Sequence, residues 1–341
     1  QESIAPLGVY PALSFTPDSK FVIASYGGKI WKLPIDGGNA VNVPFEVDVE
    51  LEMGPAVKFD FPISNDKTMI ANQIRDPKLS PDGSKLTFTV LNRLYVMDYP
   101  NGTARRLTNS NHTEAMPIWS PDGGSIAYVT WENKEGHIYK VNVSTGANTK
   151  LTRNGATYYD LGWDAKTNRI VFNYSPSQVF EDAYSPFFSS PSENLAWISA
   201  DGGDITRIEK SNGRGNPHFV KADERIYLFS GAKGLVSIRW DGTDEKVHLK
   251  VSGITTFPAE LGHTHCLMVH SETEPTPQPS QAELITMAPE GDQALVQINN
   301  EIYVVTVPKT GGEVPNISVA KAENAQFPAR KLTTIGGQFP H

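Results

Sequence analysis

The sequence predicts an all-β chain assembled from about six repeated four-stranded antiparallel units, with seven as the alternative count. Three observations predict it. A passage recurs at a spacing of about 40 residues. Short β-branched and aromatic runs are punctuated by Asp-Gly, Asn-Gly and Thr-Gly pairs. Glycine and proline, at 28 and 25 residues, are frequent enough to supply many tight turns without making the chain low-complexity.

The repeat is clearest in two adjacent passages. Lys78-Leu-Ser-Pro-Asp-Gly-Ser-Lys-Leu-Thr-Phe-Thr-Val90 is followed by Arg93-Leu-Tyr-Val-Met-Asp98, Asn101-Gly102 and Arg105-Arg-Leu-Thr108. Pro117-Ile-Trp-Ser-Pro-Asp-Gly-Gly-Ser-Ile-Ala-Tyr-Val129 is followed by His137-Ile-Tyr-Lys-Val-Asn142, Thr145-Gly146 and Lys150-Leu-Thr152. Each segment has a physical task. A short first strand leads into Ser-Pro-Asp-Gly, where Pro sets φ, Asp accepts backbone hydrogen bonds and Gly takes positive φ. Leu86 to Val90 and Ile126 to Val129 read as second strands. The third alternates as a half-buried strand does, and the fourth ends in Leu-Thr. Units of this kind cannot bury both faces alone, so they stack radially into a propeller.

Degenerate copies start near Leu13, Leu161, Pro217 and Ile285. The chain therefore reads as one propeller domain, 1–341, with insertions near 48–74, 175–194 and 255–282. The second insertion is aromatic (Phe180, Tyr184, Phe187, Phe188) and reads as a lid, an interface or packing over a neighbouring blade. The third, with Glu272-Thr-Glu-Pro-Thr-Pro-Gln-Pro279, reads as an extended, solvated excursion.

Charge narrows the partners. With 30 basic and 38 acidic residues the net charge is -8, and no Lys/Arg block offers a footprint for nucleic acid or an anionic membrane. No apolar run approaches the length of a membrane span. A protein or a small polar ligand remains, along with self-association or association with other chain fragments. Cys266 is the only cysteine, which excludes an internal disulfide. Residue 1 is Gln, consistent with a processed N-terminus or a trimmed fragment, and a secreted or periplasmic location is expected. Sequons occur at Asn101, Asn111, Asn142, Asn173 and Asn316; in a eukaryotic source Asn101, Asn111, Asn142 and Asn316 are the candidate glycosylation positions.

The Ser-Pro-Asp-Gly units resemble TolB-like propellers across nearly the whole chain. Further motifs carry a finer resemblance: Tyr26-Gly-Gly-Lys-Ile-Trp31, Gln73-Ile-Arg-Asp76, Arg93 to Asp98, Tyr128-Val-Thr-Trp131, Gly136-His-Ile-Tyr139 and Arg330-Lys-Leu-Thr-Thr-Ile-Gly-Gly337. Together they resemble the propeller region of secreted bacterial amidohydrolase-family proteins. That resemblance implies a metal-dependent (β/α)₈ hydrolase domain following the propeller. Phe339-Pro-His341 ends this chain before any such domain, so no catalytic residue is carried over.

For chemistry within the chain, His263-Thr-His265 with Cys266 and His270 has metal-ligating residue types. His263 and His265 are accordingly the candidate metal ligands, set against an ordinary loop-and-strand histidine pair. No cofactor is required by any motif, and the catalytic residues are unknown. Nucleophile-elbow, phosphate-loop and zinc-protease patterns are absent from the sequence. Propellers bind at the mouth of the central channel, which selects residues just before each first strand: Arg75, Asp76, Glu114, Tyr158, Tyr159, Arg214, Asn216 and His218. The competing reading pairs Arg75, Asp76 and Glu114 with one another and with backbone groups of adjacent blades. Function is then a non-catalytic binding or assembly module; the alternatives are the propeller portion of a larger amidohydrolase-like enzyme, or a propeller enzyme using the His263/His265 region.

Overall fold

A computed structural model describes residues 13–50, 65–182, 193–256, 278–309, 312–320 and 327–333. His263 and His265, and residues 51–64, 183–192 and 257–277 of the three insertions, lie outside the described residues. The chain divides into two compact units, Gln1–Thr68 with Phe257–Pro277, and Met69–Thr256 with Gln278–His341.

The first unit contains sheet 1, an antiparallel meander of β1 (Ser14–Phe15), β2 (Phe21–Tyr26), β3 (Lys29–Pro34) and β4 (Val41–Val43). Its first turn shows how the repeat closes a hairpin. The Thr16 hydroxyl donates to Asp18 at 2.5 Å and accepts from the Phe21 N–H at 3.2 Å.

The second unit contains five sheets in chain order. Sheet 2 is β5 (Ile74–Leu79), β6 (Lys85–Val90), β7 (Arg93–Asp98) and β8 (Arg105–Arg106). Sheet 3 is β9 (Thr113–Trp119), β10 (Ser125–Glu132), β11 (Glu135–Asn142) and β12 (Asn148–Lys150). Sheet 4 is β13 (Thr157–Asp164), β14 (Arg169–Ser175), β15 (Asn194–Ser199) and β16 (Thr206–Lys210), with the short helix α1 (Ser177–Glu181) after β14. Sheet 5 is β17 (Arg214–His218), β18 (Ile226–Ser230), β19 (Gly234–Ile238), β20 (Lys246–Thr256) and β21 (Gln278–Gln281). Sheet 6 is β22 (Leu284–Met287), β23 (Gln293–Ile298), β24 (Glu301–Thr306) and β26 (Ala329–Lys331).

Sheet 5 departs from the four-stranded pattern. Strand β20 outgrows its blade: Ser252 to Thr256 pair with β21, and Lys250 to Ser252 pair in parallel with β25 (Asn316–Ser318), which leaves sheet 6 to do so. The two ends of the third insertion are thus ladder strands at 255–256 and 278–281, and most of the segment expected as a solvated excursion, Glu272 to Pro279, lies outside the described residues.

The turn chemistry is as the residues dictate. In sheet 2 the Ser80 hydroxyl donates to Asp82 at 2.6 Å and accepts from the Lys85 N–H at 2.9 Å, while Gly83 takes φ 72°. Sheet 3 repeats this with Ser120, Asp122, Ser125 and Gly123 at φ 71°. Bonds from Ser80 and Ser84 hold the Asp82 carboxyl at about 2, well below the ordinary carboxylate range. The Leu-Thr ending is equally purposeful. Leu151 and Leu332 return backbone bonds to Ile138 and Ile302, and the hydroxyls of Thr152 and Thr333 accept the N–H of those same residues.

The core lies between sheets, because middle strands bury both faces. Along β10, Ile126 and Tyr128 join Leu94, Val96, Leu107 and Trp119 against sheet 2. The alternate residues Ala127 and Val129 join Ile170, Phe172 and Ile198 against sheet 4. Val171 and Leu195 then meet Ile226, Leu228, Val236 and Ile238 of sheet 5. Leu235, Leu249 and Val251 continue to Ile285, Val296 and Ile298 of sheet 6, with Ile317 on β25 completing the seam. The period of two therefore sends successive residues to successive seams. Each fully buried Val, Leu or Ile in them contributes roughly 1.5–3 kcal/mol.

Candidate functional site

Each of the first strands β5, β9, β13 and β17 is interrupted by a bulge. At each bulge one non-glycine residue sits in the left-handed region: Asp76 at φ 51°, Met116 at 51°, Asp160 at 54° and Asn216 at 52°. Asp and Asn reach this conformation readily, whereas for Met it costs about 1–2 kcal/mol. The bulges are linked from sheet to sheet. Asp76 accepts the Met116 N–H at 3.1 Å, and Asp160 accepts the Asn216 N–H at 3.2 Å. Asn216 Nδ2 donates to the Thr286 hydroxyl of sheet 6 at 2.7 Å. Burial drives the Asp160 carboxyl upward, against the bond from Asn216 that lowers it.

Two cavities open beside this row. One, of about 520 Å³, is lined by Gln73, Arg75, Asp76, Thr89, Asn92 and Met116 among others. The second, of about 400 Å³, has Asp76, Lys78, Asn216, Thr286, Leu295 and Gln297 in its wall. Both lie within the second unit.

The candidate binding residues separate into two groups. Arg75 is exposed and Asp76 half-buried, and both line a cavity. Glu114 borders the same cavity but, at 1% exposed, is consumed by the fold. Its carboxylate accepts the Leu94 N–H at 2.8 Å and the hydroxyls of Thr108 and Ser110, each at 2.5 Å. It thereby takes the place that the Leu-Thr threonine occupies in sheets 3 and 6. The Tyr158 hydroxyl is turned to the Asn154 carbonyl at 2.7 Å, and its ring packs edge-on against Phe172. Arg214, 6% exposed, is bound on every side. It meets Glu209 at 2.8 Å, Glu245 at 3.0 Å, and the carbonyls of Ser211 and Lys210. His218 is committed at both nitrogens: the Met287 N–H donates to Nε2 at 2.9 Å, so Nδ1 carries the proton and donates to the Asn216 carbonyl at 2.7 Å. Burial pulls its pKa down to about 4. Tyr159 lies on β13 one position before its bulge.

Sequence reasoning missed Lys78, Met116, Thr286 and Gln297 on the cavity walls. A signal was present for the bulges, since Asp76, Met116 and Asn216 each precede proline in a strand that otherwise reads as regular.

Among described residues the closest approach to a nucleophile–base pair is Ser237 Oγ with His248 Nε2 at 2.6 Å. Ser237 is fully buried and its oxygen also accepts from Arg225 Nε at 2.7 Å, so no substrate reaches it. No group of three or more His, Cys, Asp or Glu with metal-binding geometry occurs among the described residues. No helix among them is long and apolar enough to cross a membrane. Of the sequons, Asn101 and Asn111 are exposed, Asn142 caps its own turn by accepting the N–H of Ser144 and Thr145, and Asn316 is paired in β25.

Residues 64–185 match the family model described as the TolB beta propeller domain. A TolB homolog from Chlorobaculum tepidum is 31% identical over 141 residues, 40% of this chain and 29% of that protein. An uncharacterised protein of Agrobacterium fabrum is 24% identical over 218 residues, 57% of this chain and 67% of that one. The crystal structure of TolB from Acinetobacter baumannii superposes with a TM-score of 0.41 at 18% identity, over 68% of this chain and 52% of that one. The match thus spans under a third of the TolB homolog's length. With four-stranded meander sheets among the described residues, Ser-Pro-Asp-Gly turns in two of them and a TolB beta propeller domain matched over residues 64–185, the fold class is that of a TolB-like β-propeller.

Proposed function

We propose that this protein is a non-catalytic binding or assembly module, secreted or periplasmic, that engages a protein segment or small polar ligand at the bulged ends of its first strands. One observation carries the reading: four consecutive first strands each hold a non-glycine residue at positive φ, and three of these, Asp76, Met116 and Asn216, line the two cavities. Backbone strain of this kind is kept where the surrounding fold enforces it, and Met116 has no intrinsic preference that explains it. Arg75, Asp76, Lys78, Met116 and Asn216 are the proposed contacts. Glu114, Tyr158, Arg214 and His218 support the frame behind them.

A photo-crosslinking side chain introduced at position 75 or 116 tests this in the native host, with Asp241 on an exposed turn as control. Adducts at 75 and 116 and none at 241, read by intact mass, are expected. No adduct at either inner position, or equal labelling at all three, refutes the site. A second reading rests on the motifs from Tyr26 to Gly337 and makes this propeller the companion of an amidohydrolase-type barrel. The intact mass of the native protein distinguishes it, since a barrel adds a domain's length.

A further inference from the structure

The face of sheet 4 that packs on sheet 5 changes character along its length. In its middle, Val171 and Leu195 belong to the apolar seam. Continuing along β14, the same face carries Asn173 and then Ser175, since alternate residues share a face. Thr157 on β13 is the cross-strand partner of Ser175, and Tyr159 is the partner of Asn173. Glu193 immediately precedes β15 and is fastened by the Ser211 hydroxyl at 2.9 Å. Asn173 Nδ2 donates to the Arg214 carbonyl at 2.8 Å, which fixes this face toward sheet 5.

Three buried oxygens on this patch lack a hydrogen-bond partner, Thr157 Oγ1, Asn173 Oδ1 and Ser175 Oγ, while the Tyr159 hydroxyl faces the Glu193 carboxylate. Asn173 is 1% exposed and Ser175 0%, so solvent does not reach them. Buried polar groups without partners are rare in folded proteins and ask for an occupant. The chemistry of the occupant follows from the donor set. All three atoms are oxygens, and two carboxylates stand near them, Glu193 at the Tyr159 hydroxyl and Asp160 at Asn173. No ion pair seen among the described residues involves either carboxylate. Such a set disfavours an anion and a soft metal, and suits a hard divalent cation that takes six to eight oxygens.

We propose that the seam between sheets 4 and 5 binds calcium through Asn173 Oδ1, the hydroxyls of Thr157 and Ser175, and the Glu193 carboxylate. With few charged ligands, its affinity falls at about 10⁻⁴–10⁻³ M, the weak end of calcium sites. The test uses the full chain, freed of metal with EDTA and titrated with calcium chloride, with magnesium chloride in parallel. Calorimetric heat and the melting temperature are read together. One saturable calcium site that raises the melting temperature is expected, with magnesium weaker. Glu193→Gln loses roughly tenfold or more in affinity, as charge count dictates. Ser175→Ala removes a hydroxyl without a protein partner, so in EDTA it melts no lower than the parent, yet it binds calcium more weakly. Absence of a saturable response, the outcome of ordered water alone, overturns the proposal. So does a response undiminished in both variants.

Discussion

Replacing Glu114 by alanine tests whether this carboxylate belongs to the frame or to a binding surface. The side chain is 1% exposed and accepts three hydrogen bonds, from the Leu94 N–H and the hydroxyls of Thr108 and Ser110. Leu94 is itself fully buried, so its amide is left with neither protein nor water as partner. An orphaned buried donor costs about 1–3 kcal/mol, and bonds to a charged group contribute about 1.5–3 kcal/mol each, less than additively. The hydroxyls can rotate toward other acceptors, so most of the loss sits at Leu94. We expect Glu114→Ala to cost about 3–5 kcal/mol, a fall in melting temperature of about 4–7 °C for a chain of this length. Glu114→Gln keeps one carbonyl oxygen for Leu94 and loses about 1–2 kcal/mol. Differential scanning calorimetry and urea unfolding, with the urea slope unchanged, are the assays. A Glu114→Ala variant within about 0.5 kcal/mol of the parent is the behaviour of a surface residue and refutes the structural assignment.

Arg214→Met strips one buried cation from between Glu209 and Glu245, and is expected to destabilise by about 3–5 kcal/mol by urea unfolding. Gly162 approaches sheet 5 so closely that an added Cβ would lie 2.3 Å from the Pro217 carbonyl oxygen, so Gly162→Ala is expected to cost about 1–3 kcal/mol and loosen hydrogen exchange in both strands. His218 makes stability depend on pH with a definite sign. Its folded pKa of about 4 lies below its ordinary 6.5, so the unfolded chain binds more protons between these values. Its contribution is complete above about 6.5 and is lost as pH falls toward 4. His218→Gln should flatten the stability–pH slope there by up to about 1.4 kcal/mol per pH unit, and an unchanged slope contradicts its burial as the neutral form.

Much of the fold was legible because its determinants are local. Ser80, Asp82 and Gly83 close their turn among themselves, and the alternation in Ile126 to Val129 already encodes which side chains reach which seam. Leu151-Thr152 and Leu332-Thr333 also act within their own units. What was not legible is nonlocal: β20 pairs with β25 more than 60 residues onward, and Thr255 and Thr256 pair with Pro279 and Gln278 across the third insertion, pairings that no periodicity announces.

The candidate residues, expected just before the first strands, lie on those strands, and their individual roles were not legible in the sequence. Sequence alone established the repeat, the turns, the burial pattern and the region of each first strand where a ligand would be sought. Only the tertiary structure decided that Arg75 and Asp76 line a cavity while Glu114, on the same wall, and Arg214 and His218 are spent on neighbouring strands. The reason is that a polar side chain's availability depends on partners 20 to 70 residues away, brought close by stacked sheets. Residue type and spacing carry no record of those partners. The same holds for Asn173, which reads as a sequon in an Asn-Tyr-Ser triplet and proves to be sealed inside a seam.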